Sequence, residues 1–256
     1  MNYSGFMIDM DGTVYKGTHV IPGAIGFIDA LRAKNIPFVF VTNNSSQSRE
    51  HYQQKLLDMG FNVTKENILT SNIATIRFII TERPGKKVYV VGSPDVVKEV
   101  RDAGIKVVEE NPDIVYLTFD RTITYDKINK AYKALIGGAE LIATHPDDVC
   151  PTETDYDIDI GPFIRMFEQM CQTKAVVVGK PNRLMLEMAA IEMCVDPQKT
   201  VMVGDRLYTD IRMGNLAKID TILVLSGETS RDELEGSSVV PTHVLDSVAD
   251  IPALLE

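Results

Sequence analysis

Short apolar runs rich in Val, Ile and Phe alternate along this chain with longer stretches whose apolar positions recur at helical spacing. The runs at 6–9, 38–42, 87–91, 114–118, 140–143, 175–178, 201–203 and 221–225 predict strands. The periodic stretches predict helices over 22–34, with Pro22 at its start, over 47–59, ended by Gly60, and over 125–135 and 183–194. In the last of these, Met185, Met188 and Ile191 fall at helical spacing and read as core. Apolar strands alternating with helices imply an α/β fold whose parallel sheet is covered on both faces.

Four of the strand ends are polar, and strand ends are where sites form in such sheets. Asp9-Met10-Asp11-Gly12-Thr13 follows the first strand. Two carboxylates this close repel unless a cation lies between them or one holds a proton. Thr42-Asn43-Asn44-Ser45-Ser46 ends the second strand just before a helix, where hydroxyl, amide and backbone N–H groups make an anion cradle aided by the helix dipole. Val178-Gly179-Lys180-Pro181 delivers one lysine. Gly204-Asp205-Arg206-Leu207-Tyr208-Thr209-Asp210 places Asp205 at a strand end, suited to a hard cation, and Asp210 one helical turn on. Each segment alone also reads as a turn, a helix cap or a solvated lysine. All four in this order, each at a strand end, are hard to explain that way.

The set resembles the haloacid dehalogenase (HAD) superfamily: the first segment is similar to its DxDGT signature and the others to its second, third and fourth motifs. VTNNS, TYDKINKAY, ATHPD, VVGKP and GDRLYTD resemble the NagD-like branch (class IIA), which holds para-nitrophenyl, phosphoglycolate and sugar phosphatases. The resemblance covers essentially the whole chain. It implies a Rossmann-like core with a parallel sheet, built from residues 1–81 and 178–256, and a smaller α/β cap inserted at 82–177. Pro84-Gly85 and Gly179-Lys180-Pro181 are candidate crossing points.

The activity implied is a magnesium-dependent phosphatase acting on a small phosphorylated metabolite through an aspartyl-phosphate. By the same resemblance Asp9 is the nucleophile and Asp11 the acid and base. Thr42, the Asn43 N–H and Lys180 hold phosphate. Mg²⁺ is bound by Asp9, the Asp11 carbonyl and Asp205. Thr13, Asn44 and Asp210 support, with Asp210 orienting the metal shell. In the cap, His145 and Asp147 of ATHPD are candidates for substrate selection, His145 standing where related sequences often have Asn. A phosphomutase or phosphotransferase could use the same carboxylates, and a catalytically silent binding protein could keep the fold. A homodimer is one assembly that similar proteins adopt.

Composition narrows the field. A formal net charge of -10, with Lys and Arg dispersed, argues against nucleic acid and requires any anion site to supply its own positive charge. Cys150, Cys171 and Cys194 form no framework, which fits a reducing, cytoplasmic setting. No apolar run of membrane-spanning or signal-peptide length is present, so no membrane partner is expected. His19, His51 and His243 are too scattered for a zinc site. The acids Glu153, Asp155, Asp157 and Asp159 read as a solvated loop; facing a pocket, they would disfavour highly anionic leaving groups.

Overall fold

The computed structural model describes residues 3–152 and 155–255, so Glu153 lies outside the described residues. The chain divides into two compact units. The first comprises Met1–Thr42, Tyr52–Leu69 and Lys180–Glu256; the second comprises Asn43–His51 and Thr70–Gly179.

In the first unit a six-stranded sheet runs in the order His243–Leu245, Asp220–Val224, Thr200–Gly204, Gly5–Ile8, Phe38–Thr42, Ile68–Thr70. The four pairings from His243–Leu245 through Phe38–Thr42 are parallel. Gly5–Ile8 lies centrally, with Ile8 in register with Val203 on one side and Phe40 on the other. Three neighbouring parallel strands therefore finish at one edge, which brings Asp9, Thr42 and Asp205 to the same end of the sheet. Helix Ala24–Ala33 buries Ala24, Phe27, Ile28 and Leu31, the i, i+3, i+4, i+7 face expected of a helix on a sheet. Phe27 meets Phe6 edge-to-face at 5.8 Å, and Phe40 meets Phe61 at 6.0 Å. The helix starts after Pro22, not on it: Gly23 precedes its first residue with φ 84°, and a side chain there would run into Ala249. In helix Arg183–Met193 the buried face is Met185, Leu186, Ala189, Ala190 and Met193. Ile191, expected in the core, is 71% exposed because it lies on the opposite side of that face.

The second unit holds a five-stranded sheet, Val176–Val177, Glu140–Ala143, Ile114–Leu117, Lys87–Val91, Lys106–Val107, with every pairing parallel. Tyr89, Leu117, Phe119, Leu135, Leu141 and Phe167 fill its core. Ser93 and Thr124 cap the helices Pro94–Asp102 and Tyr125–Ile136 by accepting N–H bonds from Val96 and Lys127. Helix Ser71–Glu82 and Pro84-Gly85 both lie inside this unit, tied to its sheet by Tyr116 Oη donating to Asn72 and by the Arg83–Glu140 ion pair at 2.8 Å. Part of the acidic stretch is strand: Val149–Pro151 and Tyr156–Ile158 pair antiparallel and carry Asp157, while Asp155 lies exposed outside the strands. Among the described residues no helix is long and apolar enough to cross a membrane.

Candidate active site

Asp9 extends the central strand, its N–H donating to Val203 O at 2.8 Å. The chain then turns sharply: Met10 O accepts from the N–H groups of Thr13 at 3.2 Å and Val14 at 2.9 Å. Gly12 makes the turn possible with φ 89°, and any Cβ there would overlap the Asp205 carboxylate. Thr13 is fully buried, with its hydroxyl 3.5 Å from Asp9 Oδ2. Asp11 is partly exposed; burial raises its carboxyl above the usual range, and Lys55 and Arg206 pull the other way.

Lys180 is buried beside Asp9. Its ammonium donates to Asp9 Oδ1, reaches Val41 O at 3.1 Å and pairs with Asp210 Oδ1 at 2.7 Å. Burial works against its charge, but Asp210 and Asp9 outweigh it and keep Lys180 protonated. Asp9 is pushed up to about 6, first by burial, with Lys180 opposing and Asp210 adding to the rise. Asp205 is raised as well, by burial and then by Asp9 and Asp210.

Asp205 follows strand Thr200–Gly204, and Asp210 lies in a wide π-helical turn, Leu207–Ile211, in which Ile211 N–H donates back to Arg206 O at 3.2 Å. That turn folds Asp210 back over the strand end, so close that a side chain at Gly204 would collide with it. Asp210 Oδ2 accepts from Arg206 N–H at 3.2 Å, and Asp205 Oδ2 accepts from Glu228 N–H at 2.7 Å. Asp205 Oδ1 is buried and has no hydrogen-bond partner. One carboxylate oxygen from each of Asp9, Asp205 and Asp210 can be chosen so that all lie within 4.8 Å of one another. An oxygen-only donor set containing an unsatisfied buried oxygen fits a hard divalent cation.

A second buried cluster lies in the second unit. His145 is fully buried between Thr144 Oγ1 on Nδ1 and Asp159 Oδ1 on Nε2, both at 2.9 Å. Asp147 accepts from Asn43 Nδ2 on both oxygens at 3.2 Å.

The haloacid dehalogenase-like hydrolase family matches residues 6–106, and the HAD-hydrolase-like family matches residues 177–251. The 5'-nucleotidase YutF of Bacillus subtilis is 34% identical over 248 residues, covering 97% of each chain. An acid sugar phosphatase of Staphylococcus saprophyticus is 34% identical, covering 100% of this chain and 99% of its own. The structure of a 4-nitrophenylphosphatase from Thermotoga maritima superposes with a TM-score of 0.96 at 36% identity, covering 100% of this chain and 98% of that one. The chain belongs to the haloacid dehalogenase-like hydrolases. Within them it belongs to the NagD-like branch, for NagD of Escherichia coli superposes with a TM-score of 0.89 at 32% identity over 98% of both chains.

In this hydrolase, Asp9, Thr13, Lys180, Asp205 and Asp210 come together, and Thr42 is buried at the end of the adjacent strand. Asp210 pairs with Lys180 itself at 2.7 Å, the contact through which it can orient its neighbours. The helix after Thr42 does not begin until Arg49, so its first turn does not directly follow the cradle. The residues between turn to other work. Asn44 Oδ1 accepts from Ser46 N–H at 3.0 Å and from its hydroxyl at 2.7 Å, and Ser45 Oγ accepts Phe119 N–H at 2.9 Å. Asp159 is 3% exposed, against the expectation of a solvated loop, because the hairpin delivers it to His145. Arg206 and Glu228 escaped notice as site residues. Arg206 stands inside the fourth motif, where its charge was the available signal; Glu228 follows a predicted strand end but lacks any motif.

Proposed function

We propose that this hydrolase is a magnesium-dependent phosphatase that removes phosphate from a small metabolite through an aspartyl-phosphate on Asp9. Sugar phosphates, phosphoglycolate-like acids and nucleoside monophosphates are the candidate substrates, in keeping with the relatives named sugar phosphatase and nucleotidase. The observation that carries the reading is the Asp9 carboxylate, buried between the Lys180 ammonium and the Asp205 carboxylate whose Oδ1 lacks a partner.

Asp9 attacks phosphorus in line; the phosphorus–ester oxygen bond breaks, and Asp11 gives its proton to the departing alkoxide. Burial helps here, because it favours the protonated form of Asp11 that the leaving step needs. Water then attacks the aspartyl-phosphate while Asp11 takes its proton, which releases phosphate and regenerates both carboxyl groups. Thr42 and the N–H of the next residue, Asn43, hold non-bridging oxygens, and Lys180 balances charge shared by Asp9 and phosphate. Asp9, Asp205 and the Asp11 carbonyl would hold Mg²⁺, with Asp210 fixing their arrangement through Lys180 and Arg206. When bound, the ion lets two anions approach each other. Thr13 and Asn44 support the loops on which these groups sit, and His145 and Asp147 are the second unit's candidates for substrate selection.

Phosphate release from para-nitrophenyl phosphate, measured with Mg²⁺, with chelator and with Asp9→Asn, tests the proposal. Turnover confined to the intact protein with Mg²⁺ is the expected result. Release that needs an added acceptor alcohol would indicate phosphotransfer instead.

A further inference from the structure

We propose that Arg206 and Glu228 tune the affinity of the acidic cluster for its divalent cation, Glu228 acting as a positioning residue that holds the Arg206 charge in balance. The inference rests on the metal-dependent reading above.

Two cations stand near the three carboxylates, Lys180 buried and Arg206 half-buried. Lys180 pairs directly with Asp9 and Asp210. Arg206 directly follows Asp205, its N–H donates to Asp210 Oδ2 at 3.2 Å, and its side chain is only 14% exposed. A guanidinium fixed beside a cation site repels an incoming divalent ion, strongly so where little water screens it. Glu228 answers that charge: its Oε2 pairs with Arg206 Nε at 2.8 Å, and its Oε1 accepts from Tyr208 Oη at 2.8 Å.

The same residue positions the metal-facing carboxylate. Glu228 N–H occupies Asp205 Oδ2 at 2.7 Å, which leaves Oδ1 as the oxygen without a partner. Its neighbours fasten the loop: Thr229 N–H donates to Asp205 O at 3.3 Å, and Ser226 Oγ donates to Gly12 O at 2.8 Å. Gly227 packs against Asp205 so tightly that a Cβ would overlap its carboxylate. One short loop therefore selects the free oxygen of Asp205 and carries the counter-charge to Arg206.

Calorimetric titration with MgCl₂ alone, without substrate, tests the proposal apart from turnover. Glu228→Gln keeps the backbone bond and removes the charge, so Mg²⁺ binding should weaken by about tenfold. Arg206→Gln should tighten it by a similar factor, the double variant should return to within about threefold of the parent, and Arg206→Lys should stay near the parent. Tyr208→Phe, the mildest change, should weaken binding by about twofold and covers the case in which Glu228→Gln does not fold. Weakening by both Glu228→Gln and Arg206→Gln would reduce the pair to a structural brace and overturn the proposal. So would unchanged affinities in a protein whose Mg²⁺ binding is abolished by Asp205→Asn. A parent that binds no Mg²⁺ overturns the metal reading itself and this inference with it.

Discussion

The two units each bury a cluster of three potential metal ligands, Asp9-Asp205-Asp210 in one and His145-Asp147-Asp159 in the other, and in both the donor atoms lie within 4.8 Å of one another. Their hydrogen bonding separates them. In the second cluster both ring nitrogens of His145 are engaged, both oxygens of Asp147 accept from Asn43, and Asp159 Oδ1 also takes Ile160 N–H at 2.7 Å. In the first, Lys180 pairs with Asp9 and Asp210, and Asp205 Oδ1 is left over. A saturated buried network gains nothing from an ion; an unsaturated one is stabilised by it. The first cluster keeps an oxygen free for a ligand, whereas the second is engaged by its own hydrogen bonds.

The largest effect that could break this contrast concerns Asp9. If the first cluster performs the chemistry, Asp9→Asn lowers kcat by roughly 10⁴-fold or more while the fold melts cooperatively as before. His145→Asn should not approach that loss, since it removes no group that bonds to phosphorus. Comparable losses of kcat for the two variants, measured with para-nitrophenyl phosphate, would erase the distinction.

Next in size is the response to Mg²⁺. A cation at a hundred times its dissociation constant stabilises a folded protein by about 2.7 kcal/mol. That gain should appear as a rise in melting temperature with MgCl₂, vanish in Asp205→Asn and persist in Asp159→Asn. Loss of the response in Asp159→Asn would move the ion to the second cluster.

How much of this was legible beforehand differs between the clusters for a physical reason. Strands 38–42, 87–91 and 140–143 were readable to the residue, because each is carried by an apolar run, at 38–41, 88–91 and 141–143. The first cluster was readable because parallel strands put their polar ends together, so Asp9, Thr42 and Asp205 needed only the strand assignments. Asp159 was hidden among neighbouring acids, and its burial depends on a hairpin whose strands are three residues each, too short for alternation to register. Strands Ile68–Thr70 and His243–Leu245 went unread for the same reason. Glu228 acts through a backbone N–H and a distant arginine, neither of which leaves a pattern along the chain.

A smaller effect sharpens the structural half of the contrast. Asp159→Asn keeps the size of the side chain but weakens its bond to the buried His145, so it should cost about 1–3 kcal/mol of stability in urea unfolding. Mg²⁺ affinity should stay unchanged. A neutral result would mean that the His145–Asp159 contact at 2.9 Å contributes nothing net.

The smallest expected effect lies in the segment that leads away from Thr42. Ser45 is fully buried; its hydroxyl accepts Phe119 N–H at 2.9 Å and lies 2.9 Å from Thr144 Oγ1, beside the residue that holds His145. Ser46 O in turn accepts from Ser93 Oγ at 3.1 Å, and Arg49 N–H donates to Glu99 Oε1 at 2.8 Å. The segment Asn43–His51 is thus pinned at several points, and removing one should cost only its own share. Ser45→Ala strands a buried N–H but leaves Thr144 its bond to His145, so about 1 kcal/mol should be lost in urea unfolding. A loss well above that of Asp159→Asn would show that Ser45, and not the His145–Asp159 pair, is the principal support of the second cluster, and would reverse the ranking drawn from their hydrogen bonds.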